Sequence, residues 1–130
     1  MTPILAFDIE TVPDVNGIRL LYDLPASLPD DEVVLFAQQK RRAQTGGAFM
    51  QHPRHQVVAI SCCMRWGQDK IHVGTIGEMH DSEEEMIAKF FDLIESHTPQ
   101  LVSWNGGGFD LPVLHYRALI HGIAAARYWD

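Results

Sequence analysis

The chain has 130 residues, 46% of them hydrophobic and 21% charged, which is typical of one folded domain and excludes a disordered protein. The two cysteines, Cys62 and Cys63, are adjacent, which excludes a disulfide scaffold and a cysteine-ligated zinc site. The net charge of −7 disfavours a protein that coats nucleic acid with a basic surface.

Most of the net negative charge lies in one segment. Between Glu78 and Glu95 there are seven acids and one base, so we interpret this segment as a solvated helix. A site elsewhere on the surface that binds nucleic acid through a few local contacts is still possible. No apolar run approaches the ~18 residues of a membrane span, and the N-terminal segment lacks the basic region of a signal peptide. We therefore expect a cytoplasmic protein with no membrane partner.

The first predicted elements are a strand, an irregular segment and a helix. Pro3–Ile9 is a near-continuous apolar run, which predicts a central strand covered on both faces. Residues 14–29 show no clear period and lie among prolines, so they are predicted to be irregular. A helix is predicted from Asp30, because acids stand at its front, bases at its rear, and Gly46 follows it.

The rest of the chain alternates between strand and helix patterns. Gln56–Trp66 and Lys70–Ile76, joined by a short polar connection, predict a hairpin. A capping box at Ser82 predicts the start of a helix, which Thr98 ends. The elements that follow are a strand at Leu101–Trp104, a glycine loop at Gly106–Gly108 and a helix from about Phe109 to His121. This order predicts an α/β fold in which helices pack on a mixed sheet.

Asp8 and Glu10 are the first candidate site residues. Residues two apart on a strand share a face, so both carboxylates project together from the end of an apolar strand. Burying two like charges side by side is costly unless a cation neutralises them. The alternative is that both side chains simply meet solvent.

The second candidate place is the crossover from the fourth strand to the last helix, which holds Asn105 and Asp110. Ligands of open sheets tend to bind at such crossovers, although an N-cap role for Asp110 is an ordinary alternative. If the first and fourth strands are neighbours, Asp110 converges on Asp8 and Glu10. Three carboxylates suit Mg²⁺ or Mn²⁺, and such a site matches two-metal chemistry on a phosphodiester.

Two motifs carry a family resemblance. Phe7-Asp-Ile-Glu-Thr11 resembles the first motif of the DEDD (DnaQ-like) 3′–5′ exonucleases, which have a ribonuclease H-like fold. Val102-Ser-Trp-Asn-Gly-Gly-Gly-Phe-Asp-Leu-Pro112 resembles their second motif, in the form found in the proofreading domain of family-B DNA polymerases. The chain is most similar to small bacterial proteins predicted as exonucleases related to that domain. The resemblance covers residues 3 to about 121, interrupted by a predicted helical insertion at about 14–55.

The resemblance implies a fold, a reaction and a set of site residues. The fold would be a ribonuclease H-like mixed sheet of three antiparallel strands, followed by helix, strand and helix. The reaction would be hydrolysis at the 3′ end of single-stranded DNA with two Mg²⁺ or Mn²⁺ ions. The metal-binding, catalytic acids would be Asp8, Glu10 and Asp110, and the nucleic-acid contacts Thr11, Asn105 and Phe109. A core anchor is an equal alternative for Phe109.

The third motif of these exonucleases, a Tyr or His four residues before an Asp, does not follow Asp110. We therefore expect residues 1–130 to be the N-terminal part of an exonuclease domain, truncated at its C-terminal end and nearly inactive alone. The alternatives are a non-catalytic module that binds nucleic acid or protein, and an RNA-trimming enzyme. Trp66 and Trp104 are predicted to be core residues rather than base-stacking platforms. Protein partners remain unknown from the sequence.

Overall fold

The structure is a computed structural model that describes residues 2–123. The chain forms two compact units. Met1–Thr11 and Val57–Asp130 make the first, here called the sheet unit, and Val12–Gln56 make the second, here called the inserted unit. No helix among the described residues combines the length and apolar character needed to cross a membrane.

The sheet has four strands in the order β3-β2-β1-β4. They are β1 (Ile4–Pro13), β2 (His55–Trp66), β3 (Lys70–Thr75) and β4 (Gln100–Val102). The strands β2 and β3 form the predicted antiparallel hairpin, whereas β4 runs parallel to β1. The strand that carries Asp8 is therefore central, with β2 on one side and β4 on the other. This confirms the predicted α/β fold with a mixed sheet.

The two faces of β1 differ, and the expectation that both are covered was wrong. Leu5, Phe7 and Ile9 are buried, whereas the alternate residues Asp8 and Glu10 are exposed. Side chains alternate along a strand, so the apolar positions and the carboxylates lie on opposite faces. The apolar run suggested that both faces are covered because Ile4 and Ala6, on the same face as Asp8, are apolar and half-buried. Beyond Ala6 this face carries the exposed carboxylates.

Helices α3 (Glu83–His97) and α4 (Leu111–His121) complete the core of the sheet unit. The Ser82 hydroxyl accepts a hydrogen bond from the backbone of Glu85, as the capping box predicts, and α3 ends at Thr98 in the left-handed conformation. The buried side chains come from β1, β2 and both helices: Leu5, Phe7, Ile9, Val57, Ile60, Met64, Met86, Ile87, Phe90, Phe91, Ile94, Val113, Leu114 and Ala118.

A buried ion pair joins β2, α3 and α4. Glu83 and Arg117 are only 7% and 4% exposed, and the guanidinium donates to both carboxylate oxygens at 2.6–3.0 Å. The Glu83 carboxylate also accepts the Val57 backbone N–H at 2.6 Å and lies 2.8 Å from His121 Nε2. The interpretation of the acidic segment as a solvated helix was therefore wrong at Glu83, because this carboxylate has a buried cationic partner.

The inserted unit contains α1 (Val15–Tyr22) and α2 (Asp30–Thr45). The helix α2 matches the prediction, and Gly46 ends it at a φ of 83°. The helix α1 corrects the prediction that residues 14–29 are irregular. Asp14 caps it by accepting from the Gly17 backbone N–H at 3.2 Å, and Ile18 is buried with Val33, Ala37 and Met50. Its eight residues, about two turns, are too short a pattern to read from the sequence alone.

Candidate active site

The candidate site lies where β4 stops beside β1. The parallel ladder ends at the pair Ala6 and Val102, although β1 continues to Pro13. Beyond this pair the chain leaves β4 through Ser103 and enters a turn that leads to α4. The backbone of β1 next to Asp8 and Ile9 is therefore open to side chains from that turn.

The turn is a single π-helical turn, Gly106–Asp110, where a glycine loop was predicted. The Asn105 carbonyl accepts the backbone N–H groups of Gly108 at 3.2 Å and Phe109 at 2.9 Å. A Cβ on Gly108 would lie 2.5 Å from Asn105 Oδ1, so glycine lets the Asn105 side chain fold over the turn. A Cβ on Gly106 would lie 3.0 Å from that of Ser103, so the start of the turn is also tight, though less so than at Gly108.

Asp110 is the last residue of the turn and is only 5% exposed. Its Oδ2 accepts the Ser103 hydroxyl at 3.0 Å, and its carboxyl is hydrogen-bonded to the backbone of Ile9 on β1. The side chain makes no capping hydrogen bond to α4, although Asp110 precedes that helix. The N-cap alternative is thus not what this structure shows, and the carboxyl points instead toward β1.

The pKa of Asp110 responds to the charge of Asp8, so the two acids belong to the same site. Burial raises the pKa of the Asp110 carboxyl, and the negative charge of Asp8 raises it further. The Ser103 hydroxyl and the Ile9 backbone act in the opposite direction, because they donate hydrogen bonds to the charged form. Asp8 and Asp110 are therefore close enough to repel each other, as two acids that share a cation must be.

The donor chemistry of this pair fits a hard divalent cation, because both ligands are carboxylates. Glu10 is exposed on the same face of β1 as Asp8. Within residues 2–123, no three His, Cys, Asp or Glu side chains form a group that could hold a metal ion. The structure thus brings Asp8 and Asp110 together and does not gather all three predicted acids into one cluster.

The other predicted site residues surround the same turn and the adjacent strand. Thr11 is half-buried on β1, and Asn105 is exposed at the start of the turn. Phe109 is half-buried and packs against the core of the sheet unit, as the anchor alternative requires. Trp66 also packs against that core, but Trp104 is fully exposed, so its prediction as a core residue was wrong.

Ser103 is a residue that the sequence reasoning missed. Its hydroxyl is the side-chain donor to Asp110, seven residues later. The available signal was a small polar residue directly after a strand and within the second motif. A serine in that place is too common to single out without the turn that brings Asp110 back to it.

The comparison with protein families covers the part of the site that follows β4. Residues 47–130 match the model of a family described as predicted 3′–5′ exonucleases related to the exonuclease domain of PolB. The matched range includes Ser103, Asn105 and Asp110, and more than half of the chain. Asp8 lies outside it.

Known proteins with similar segments are DNA polymerases. The chain is 40% identical over 42 residues to DNA polymerase 1 of Sulfolobus acidocaldarius, and 46% identical over 44 residues to DNA polymerase 1 of Sulfurisphaera ohwakuensis. These segments cover 32% and 34% of this chain but only 5% of each polymerase.

A solved structure extends the likeness to nearly the whole chain. The family-B DNA polymerase of the hyperthermophilic archaeon Pyrobaculum calidifontis matches 96% of this chain with a TM-score of 0.50 and 22% identity. This chain covers 12% of that polymerase, so the likeness concerns the fold of one part of it. Together with the family match, it confirms the resemblance that the two motifs indicate.

Proposed function

Because this chain belongs to the family of predicted 3′–5′ exonucleases related to the exonuclease domain of PolB, we propose that it hydrolyses phosphodiester bonds at the 3′ ends of single-stranded DNA. The observation that carries the proposal is the buried Asp110 carboxyl, held beside Asp8 at the open end of the β1–β4 ladder. A buried acid that is repelled by a second acid is costly to the fold, which is typical of a functional site.

The acids supply the ligands in this proposal. Asp8, Glu10 and Asp110 would hold two Mg²⁺ or Mn²⁺ ions, which suit oxygen ligands. When bound, such ions activate a water molecule and stabilise the leaving oxygen of a phosphodiester. Ser103 keeps Asp110 oriented toward β1 through its 3.0 Å hydrogen bond. The exposed position of Glu10 leaves its side chain free to turn toward the pair.

The turn supplies the contacts to the strand in this proposal. Asn105 is exposed, and its side chain lies over Gly108, where its amide NH2 can donate to a phosphate or sugar oxygen. Thr11 lies one residue beyond Glu10 and would contact the terminal nucleotide. Phe109 packs against the core and would brace the turn from below.

Binding of only the end of a nucleic-acid strand is consistent with the net negative charge of the chain. The net charge is −7, so a broad electrostatic surface for duplex DNA is disfavoured. A 3′ end needs only a few phosphate contacts and the metal ions, whose charge offsets that of the acids. RNA ends have the same phosphodiester chemistry, and no residue named above selects deoxyribose, so RNA trimming is the second candidate.

The test is a shortening assay on single strands labelled at the 5′ end, with Mg²⁺ or Mn²⁺ and with EDTA. It compares the 130-residue chain with a longer chain in which these residues are followed by the third motif, here called the full-length protein, on DNA and RNA of one sequence. We expect metal-dependent removal of nucleotides from the 3′ end by the full-length protein. We expect little activity from the 130 residues, because general-base assistance typically contributes 10²–10⁴-fold and no Tyr or His four residues before an Asp follows Asp110.

Asp8→Ala and Asp110→Ala should each remove nearly all of that activity, since each deletes a proposed metal ligand. Glu84→Ala is the matched control, because it removes an exposed carboxylate of α3 that is outside the site. Shortening of RNA alone would favour the second candidate. If the full-length protein shortens neither nucleic acid, the catalytic proposal is wrong and a binding module takes its place.

A further inference from the structure

Trp104 is the most exposed large side chain of the candidate site. Its side chain is fully exposed, whereas tryptophan is usually well buried in folded proteins. An exposed indole is unfavourable in water because it is large and mostly apolar. Trp104 lies one residue after Ser103 and one before Asn105. The exposed indole is therefore next to Asp8 and Asp110, here called the acid pair.

The backbone on both sides of Trp104 is anchored. Val102 pairs with Ala6 in the β1–β4 ladder, and the Asn105 carbonyl accepts two backbone N–H groups of the turn. Trp104 therefore projects from a fixed segment between two hydrogen-bonded ones. A side chain held in this way loses little backbone freedom when a flat ligand covers it.

Trp104 and Asp8 line one shallow cleft. Its walls are Ala6, Phe7 and Asp8 from β1, and Val102, Ser103 and Trp104 from the end of β4. The cleft thus has a carboxylate on one side, an indole on the other, and small or apolar groups between them. A terminal nucleotide has the matching parts, a phosphate that can share a cation with Asp8 and a flat base.

We propose that the Trp104 indole is the stacking platform for the base of the 3′-terminal nucleotide. This inference rests on the proposed function, because it places that nucleotide at the acid pair. Every base has a π-face, so stacking on an aromatic side chain tolerates any sequence. The walls near Trp104 offer mainly Ala6 and Val102 side chains, which have no hydrogen-bonding groups to read a base.

Equilibrium binding tests the platform. The probe is a single-stranded DNA with fluorescein at its 5′ end and phosphorothioate linkages at its 3′ end, which resist cleavage. Its binding is measured by fluorescence anisotropy in Mg²⁺. Trp104→Ala should weaken binding by roughly 5- to 150-fold, the range expected when one aromatic platform is lost. Trp104→Tyr should retain most of the affinity. Met79→Ala, which truncates another highly exposed apolar residue outside the cleft, should bind like the wild type.

A second probe separates base stacking from a structural effect of the substitution. It is the same strand with an abasic 3′-terminal nucleotide. The wild type should lose affinity for it by about the factor that Trp104→Ala causes on the normal strand, and Trp104→Ala should lose nothing further. Equal weakening by Trp104→Ala on both strands would overturn the inference, because no base would then lie on the indole.

The remaining outcomes separate this inference from the proposed function. If the full-length protein shortens strands and Trp104→Ala leaves its KM and the binding unchanged, the inference fails and the function stands. If wild-type binding depends on Trp104 and on the terminal base but no shortening occurs, the function fails and the inference stands. Self-association that requires Trp104, without binding of either strand, would make this surface a protein contact and overturn the inference.

Discussion

Asp110 shows how one residue can be unfavourable for the fold and useful for chemistry. Its carboxyl is buried, it is repelled by Asp8, and its pKa is raised by both effects. The Ser103 hydroxyl and the Ile9 backbone offset part of this cost. Active sites commonly retain such residues because a metal ion or substrate restores the balance when it binds.

Asp110→Asn should therefore stabilise the 130-residue chain in metal-free buffer at neutral pH, since the amide keeps the shape without the charge. Its oxygen can accept from the Ile9 backbone, and its NH2 group can donate to the Ser103 hydroxyl oxygen. Because the folded-state pKa is raised, wild-type stability falls as pH rises from the ordinary value near 3.8 through the folded-state value. The variant should lack that fall. Urea unfolding at several pH values measures it, and a less stable variant at neutral pH would contradict the account.

At the scale of elements, the turn between β4 and α4 requires glycine at some positions and not at others. Gly107 and Gly108 are adjacent, but only a Cβ on Gly108 meets a side chain, that of Asn105 at 2.5 Å. A Cβ on Gly107 meets nothing within 4 Å. Alanine at each of the two positions therefore gives a matched pair of variants. They test whether the placement of the Asn105 side chain matters, without a change to Asn105 itself.

Gly108→Ala should lower the shortening activity of the full-length protein by about tenfold or more, as loss of a positioning contact typically does. Its melting temperature should change little, because the exposed Asn105 side chain can swing aside. Gly107→Ala should keep both the activity and the stability. Equal activity of the two variants would show that the placement of the Asn105 side chain does not matter.

The Glu83–Arg117 pair is the corresponding feature of the helices. Glu83→Gln should destabilise the chain by about 3 kcal/mol or more, because it leaves the Arg117 cation buried without a charged partner. Glu84→Gln, one residue along on the exposed side of α3, should change the free energy of unfolding by less than about 0.5 kcal/mol. Urea unfolding curves of both variants give the comparison. Similar small changes in both would mean that Arg117 finds other acceptors.

At the scale of the whole molecule, metal and fold should be coupled. Ligands that bind only the folded state stabilise it by mass action, so Mn²⁺ should raise the melting temperature of the 130-residue chain in a concentration-dependent way. Asp8→Asn should remove most of this shift, whereas Glu84→Gln should keep it. Calorimetric scans with Mn²⁺ and with EDTA provide the measurement. A wild-type melting temperature that is indifferent to Mn²⁺ would count against a shared metal site.

The sequence by itself determined the local elements and the motifs. The capping box at Ser82, the hairpin and the stop at Gly46 all appear where the pattern predicts them. These features depend on hydrogen bonds and side chains a few residues apart, so a short window of sequence contains their cause. The order of the two motifs likewise indicated the family to which the chain belongs.

Only the tertiary structure decided which polar and aromatic residues are buried. Glu83 is buried because Arg117, 34 residues away, reaches it, and α1 forms on a cap at Asp14 and the burial of Ile18. The approach of Asp110 to Asp8 depends on the point at which the β1–β4 ladder ends, and the exposure of Trp104 depends on the same point. Burial and proximity are properties of residues distant in the chain, so no local pattern contains them.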